Sequence, residues 1–564
     1  MLRRLSWLPP LILMVIGLLI LGSGIAQRTI WQPPATVTAQ LDTAALSSGQ
    51  NAPLTILESK ALSQRSGPVQ LKISGDGPIF LAQGRADDVE AWVGKTPHLV
   101  VDSAKDDFSG LNASFVDGQD PTANPAGSDL WTSEQSSSGE LSYDWQSPSD
   151  GDWSLLLASD GKAAAPQRIS ITVPNDDSTP WAIPLMVIGG VLLLLGVLLW
   201  LFLARFKRPR KGGSSGRRAA GVAATVIIAL GAMTLSQLNP PSASADDSSS
   251  ASPSSSGSGA PSSDSASEGP DSPLIPVLSD DQFSRVLGLV AKTVASGDAA
   301  KNANLLTSRV DGAALQERTA NYKIRAAAPS YAGLEAVTDN ALKAKFISSA
   351  RQWPRSVVAV TQGTANKVPQ FLTLVQATAR DNYKLTATAR MLPSQSFQPK
   401  DGPAVPLPLD SKADLNDSPA GAMSSFAALM SAPDGNLKSK FADSAYVNDG
   451  KQIQTNLIKD NKDAATFSFK RAVKPGSVIA FPTGDGGAVV LGVVDFSIDA
   501  TTKSNATLEK LDDGTKALAG GDSTQKGYKL SYGEQAVLYL PPAAANKPIT
   551  VLAAERGLIA ASFK

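Results

Sequence analysis

The sequence has no cysteine and one histidine in 564 residues. Without thiols there is no disulfide framework, no Cys-ligated zinc or iron–sulfur centre, and no cysteine nucleophile. A Ser–His–Asp centre would have to use His98. Nothing around KTPHLVV supplies a serine or carboxylate at a diagnostic spacing, so His98 reads as a strand-end side chain. Net charge is absent too: 51 Lys and Arg balance 51 Asp and Glu. This excludes a uniformly basic nucleic-acid binder and a uniformly acidic tail protein. A phosphate loop is missing. GDGGAVV lacks the lysine and the strand-to-helix setting, so Gly486 and Gly487 read as hairpin glycines. Neither Asp102, Asp106 and Asp107 nor Asp144, Asp150 and Asp152 has the spacing and glycine of an EF-hand loop. The sequence therefore points to no cofactor and no metal, and it names no catalytic residue.

What is present is charge sorted by segment and three apolar stretches. Gln27–Pro180 holds 9 basic and 20 acidic residues, net −11, whereas Leu274–Lys564 holds 33 basic and 26 acidic, net +7. Residues 1–4 read as a cytoplasmic N-terminus. Residues 5–26 are uncharged and read as a transmembrane helix or signal anchor; a cleaved signal peptide is the alternative. Residues 181–204 begin and end their apolar run near Trp181 and Trp200, as membrane interfaces favour, and form the strongest transmembrane signal. Residues 205–218 carry seven cations and no anion, which marks a cytoplasmic loop. Residues 219–238, rich in Ala and Gly, read as a third transmembrane helix. They also resemble a signal sequence with a cleavage site at Ala243-Ser244-Ala245. Either reading leaves the C-terminus extracytoplasmic.

Residues 27–180 alternate short apolar runs with turn residues and predict an all-β sandwich-like ectodomain. Candidate strands include Val69–Ser74, Ile79–Gln83, Val89–Val93, Leu141–Trp145 and Trp153–Ala158. Trp92, Trp131, Trp145 and Trp153 would suit a sugar-stacking platform, although strand tryptophans more often pack in cores. Residues 239–273 form a Ser/Pro-rich linker without enough apolar surface to fold.

The C-terminal part predicts α+β, with helices first and antiparallel strands after them. The order occurs twice: unit one at 274–392, a proline-rich connector at 393–412 and unit two at 413–564. Two cone-like helix-plus-sheet units are the expected form, resembling the nuclear-transport-factor-like or cystatin-like superfamily. The whole is thus a multidomain membrane protein.

The stretches LVAKTVASGDAAKNANLL, GAALQERTANYKIRAA, QWPRSVVAVTQ and QFLTLVQATARDNYKLTATARMLP resemble uncharacterised actinobacterial membrane proteins with a C-terminal extracytoplasmic domain of unknown function. The resemblance implies no catalytic residue. Arg318, Tyr322, Trp353 and Arg355 are the candidate binding residues: arginine grips anions bidentately and the aromatics stack. The same residues would equally hold helix against sheet.

The functional expectation is a membrane-anchored cell-envelope protein, more a binding or scaffold protein than an enzyme. Its partners would be the lipid bilayer and other envelope proteins or anionic wall polymers, and not nucleic acid. The alternative is an accessory or enzyme of envelope glycan metabolism, because carboxylate pairs leave weak sequence signatures. A cavity lined by two apposed carboxylates would favour that alternative. A sensor is a third option, but its cytoplasmic portion is too short for a signalling domain.

Overall fold

A computed structural model describes residues 7–42, 51–146, 151–166, 168–205, 275–432 and 435–564. The expected third span, the linker and all of the basic loop beyond Arg205 lie outside the described residues. The chain separates into two bodies. One holds the two apolar helices, and the other joins 35–175 with 275–564.

In chain order the first elements are α1 (Leu8–Thr29), β1 (Thr36–Asp42), β2 (Leu54–Leu57), α2 (Ser59–Ser63), β3 (Val69–Arg85), α3 (Ala86–Val93), β4 (His98–Ala104), β5 (Leu111–Val116), β6 (Ser133–Trp145), β7 (Trp153–Ala158), β8 (Arg168–Pro174) and α4 (Ala182–Arg205). Helices α1 and α4 have 22 and 24 residues and are long and apolar enough to cross a membrane. Pro9 and Pro10 fall in the first turn of α1, where a missing N–H costs least. The two helices pack through glycines. A Cβ on Gly17 would lie 2.6 Å from Leu193 N, and one on Gly189 would lie 2.3 Å from Leu21 N. The backbones therefore touch, the close approach that small residues permit between apolar helices.

The β-rich module is one eight-stranded sheet in the order β1-β8-β3-β7-β2-β4-β5, with β6 along the other edge of β3. Residues Gln70–Ser74 of β3 pair with β8, and Phe80–Arg85 pair with β7. The sheet thereby changes partners along one long strand and encloses a core of Leu71, Ile73, Leu81, Trp145, Leu155, Leu157 and Ile171.

The structure departs from two expectations. The runs Val69–Ser74 and Ile79–Gln83 belong to one strand, β3. The module is also not all β, because Val89–Val93 lies in helix α3. Asp87 and Asp88 sit in the first turn of α3, where they complement the helix dipole. Val89, Trp92 and Val93 then share its buried face at helical spacing. These favour a helix over a short strand.

The remaining elements are α5 (Asp280–Ala300), α6 (Gly312–Ala327), β9 (Leu342–Ile347), β10 (Arg355–Thr361), β11 (Gln370–Gln376), β12 (Lys384–Arg390), α7 (Pro419–Ser431), α8 (Ala445–Asp460), β13 (Ala465–Val473), β14 (Ile479–Pro482), β15 (Ala488–Thr502), α9 (Asp513–Ala519), β16 (Gly527–Leu540) and β17 (Thr550–Phe563). Helix α5 starts at a capping box of Ser279 and Gln282. Helix α7 starts at Ser418, whose hydroxyl accepts from Gly421 N.

The strands form a four-stranded sheet, β12-β11-β10-β9, and a five-stranded one, β13-β15-β16-β17 with β14 on β15. All their pairings are antiparallel. The period-two alternation of strands then assigns faces. Val357, Ala359, Leu372 and Leu374 face the first core with Phe283, Val286 and Val290 of α5. Val490, Val494, Ala536 and Leu538 face the second core with Met423 and Phe426 of α7. The alternate residues Val358, Val360 and Phe371 meet Val489, Leu491 and Val537 in a third core. The two sheets are therefore back to back between outer helices.

Candidate functional site

The four residues expected to line one pocket form two clusters. Arg318 and Tyr322, one turn apart on α6, converge on Asp298 of α5. Arg318 Nη1 donates to both carboxylate oxygens at 2.7 and 2.6 Å, and Nη2 donates to Glu335 O at 3.1 Å. The Tyr322 hydroxyl donates to Asp298 Oδ1 at 2.6 Å. Burial first, and this carboxylate second, push the phenol well above its usual range. The cluster staples α5 to α6.

Trp353 and Arg355 lie together elsewhere. The Arg355 guanidinium stands 3.8 Å from the Trp353 ring centroid, and Trp353 Nε1 donates to Gln376 Oε1 at 2.9 Å. Arg355 Nη1 donates to Asp88 Oδ1 at 2.6 Å, from a side chain 2 % exposed to one 4 % exposed. Burial raises the Asp88 carboxyl and the arginine opposes that shift.

This pair belongs to a latch between the β-rich module and the C-terminal part. Arg309 Nη1 meets Asp129 Oδ2 at 2.5 Å, and the same oxygen accepts from Tyr383 N at 2.8 Å. Arg380 donates to Trp92 O, Val93 O and Thr96 Oγ1 at 2.8, 2.8 and 2.6 Å. Gln282 Nε2 donates to Asp129 O and Leu130 O. Around these bonds Trp92 and Trp131 pack with Ala379 and Trp353. All four tryptophans considered for sugar stacking are buried. His98 opens β4, with Nδ1 2.7 Å from Thr96 O.

A third group was not read from the sequence. Glu317 on α6 and Glu555 on β17 bring one carboxylate from each half of the C-terminal part to a shared cleft. Gln535 of β16 donates from Nε2 to Glu317 Oε2 at 3.0 Å, and its Oε1 accepts from Thr388 N. A Cβ on Gly557 would lie 2.0 Å from Glu317 Oε1, so the carboxyl occupies the space that this glycine leaves. Burial, then the Glu555 charge, push Glu317 up to about 7. Burial also raises Glu555, against the opposing charge of Arg390.

The cleft has a volume of about 720 Å³, and Asn321, Tyr331, Glu335, Arg390 and Tyr532 help to line it. A carboxyl near pH 7 beside a second carboxylate can hold or release a proton at neutral pH. The sequence carried a faint signal. Glu555 and Arg556 interrupt the otherwise apolar TVLAAERGLIA, and Glu534 and Gln535 interrupt SYGEQAVLYL. Among the described residues no group of three or more His, Cys, Asp or Glu is arranged to hold a metal ion.

Fold and site together define a protein with an apolar helix pair and a mixed α/β body. Residues 274–562, just over half the chain, match the family model described as Domain of unknown function (DUF8094), and the chain belongs to that family. No curated protein and no solved structure matches it.

Proposed function

We propose that this is a membrane-anchored extracytoplasmic envelope protein that binds or scaffolds other envelope components. One observation carries the placement of both modules on one side: buried ion pairs, Asp88–Arg355 and Asp129–Arg309, join residues on opposite sides of the α4 segment in the chain. Modules locked together this way occupy the same side of a membrane. If α1 and α4 both cross it, α4 leaves the chain on the far side. The chain must then cross again between Arg205 and residue 275, and the apolar run Ala219–Leu238 fits that crossing. The cations of Arg205–Arg218 sit on the cytoplasmic side by the positive-inside rule. Cleavage after Ala245 would leave the same sidedness. The net charge of +7 on Leu274–Lys564 suits attraction to anionic wall polymers.

The test is a pair of reporter fusions in living cells. A phosphatase that folds only outside the cytoplasm is expected to be active after Lys564 and inactive after Lys211. Activity after Lys211 together with none after Lys564 overturns the reading.

A second reading, an enzyme of envelope glycan metabolism, is favoured by the Glu317–Glu555 pair. Two carboxyl groups facing one cleft are the arrangement glycoside hydrolysis uses.

A further inference from the structure

The cleft shared by Glu317 and Glu555 has an excess of hydrogen-bond acceptors. Its walls carry the acids Glu335, Asp512 and Glu555 beside Glu317, whose proton is held up to about pH 7, against two guanidinium groups, Arg390 and Arg556. Both cations are engaged. Arg390 lies 3.2 Å from Glu555 Oε1 and 3.7 Å from Glu335 Oε1. The Arg556 guanidinium lies 5.7 and 5.6 Å from the ring centroids of Phe496 and Tyr532. Asp512 caps α9, accepting from Thr515 N at 3.0 Å and Thr515 Oγ1 at 2.6 Å.

Among the side chains that line the cleft, the buried unpaired atoms are acceptors. Glu555 Oε2 and Asn321 Oδ1 are buried and have no hydrogen-bond partner. Asn321 is only 5 % exposed, and its Nδ2 donates to Ala332 O at 2.9 Å. That bond fixes the amide's orientation, so the carbonyl cannot exchange places with the NH₂ group. A buried acceptor left unpaired is costly, and a donating ligand recovers that cost. An ammonium group is a compact cation with three donors and no acceptor. Tyr331 and Tyr532 add aromatic walls, whose faces attract cations.

We propose that this cleft binds a primary ammonium group, carried by an amino sugar or a polyamine, with Glu555 Oε2 and Asn321 Oδ1 as its acceptors. An anionic ligand would meet the carboxylate excess, and a neutral polyol would leave it uncompensated. The proposal rests neither on membrane sidedness nor on the enzyme reading.

Calorimetric titration of the full-length protein in detergent tests it, with glucosamine, spermidine and N-acetylglucosamine as separate probes. Saturable binding of glucosamine or spermidine is expected, and the stronger of the two identifies the source. N-acetylglucosamine, which has no ammonium, is expected not to bind. Glu555→Gln and Asn321→Ala are each expected to weaken binding by about tenfold or more. Asp281→Asn, an exposed acid on α5, should leave it unchanged. Thermal melting identifies any variant that fails to fold, and the other variant then carries the test. No binding of either amine, equal binding of N-acetylglucosamine, or full affinity in the folded variants overturns the proposal.

Discussion

Glu317 is a carboxylate whose folded-state proton affinity is raised, so its effect on stability is opposite to that of an ion-paired acid. Its proton is held up to about pH 7, against an ordinary value of 4.5. The folded state therefore binds more protons than the unfolded chain between these values, and stability falls as pH rises through that window. Above it the cost reaches about 3 kcal/mol, and Glu555 adds a penalty of the same sign. Glu317→Gln keeps a group able to bond Gln535 and removes the charge. Denaturant titrations at about pH 5 and pH 8 should show a flatter profile than the parent and a variant more stable at the higher pH. A variant that loses stability equally at both values would refute the assignment. Individual residues were legible by type but not by partner. Arginine beside aromatic residues reads as a pocket that grips an anionic ligand or as a structural bridge, and in the structure each arginine meets a carboxylate of its own chain. The carboxylates are Asp298 and Asp88 of the same chain, and Asp88 lies 267 positions from Arg355. No spacing in one sequence encodes so distant a pairing.

At the scale of elements, periodicity identified what it physically determines. Trp153–Ala158 is a strand at its expected bounds, and Arg355–Thr361 and Gln370–Gln376, rich in Val, Thr and Phe, are strands as well, because β-branched and aromatic residues suit a pleated buried surface. That these strands are buried on both faces follows from the same runs, although only packing revealed which sheets meet. Four of the five residues of VEAWV are apolar, so the run in helix α3 reads equally well as a strand. Its first-turn aspartates decide the matter. The helix pair of α1 and α4 depends on glycines in the same direct way. Gly17→Leu and Gly189→Leu each drive a side chain into the opposing backbone. The cysteine-free chain offers a clean readout. Trp7 and Trp200 lie 6.0 Å apart between ring centroids, so the pair Trp7→Cys and Trp200→Cys supplies the only thiols. A short bifunctional thiol reagent should join them in the parent background and fail in the glycine variants. Undiminished cross-linking in both would mean that the glycines do not set the approach.

At the scale of the whole molecule, the latch decides whether covalent continuity matters. The sequence left open a cut after Ala245, which would detach the C-terminal part from the helices. Its noncovalent contacts argue that such a cut releases nothing. Arg355 and Arg309 are buried against aspartates on the β-rich module, and Arg380 holds three of that module's acceptors. Removing one partner of a buried pair leaves an uncompensated charge, at a cost of about 3–5 kcal/mol. A site-specific protease sequence placed within Asp246–Pro273 makes this measurable. After complete cutting in detergent, the fragment bearing 275–564 should still co-elute with the fragment bearing α1 and α4. In the double variant Arg355→Ala and Arg309→Ala the cut chain should fall apart, while the uncut chain stays together through its linker. If the cut parent separates at once, the two modules are tethered and not latched. The argument that both share one side of a membrane would then lose its support, since that argument rests on these buried charges and on nothing in the linker.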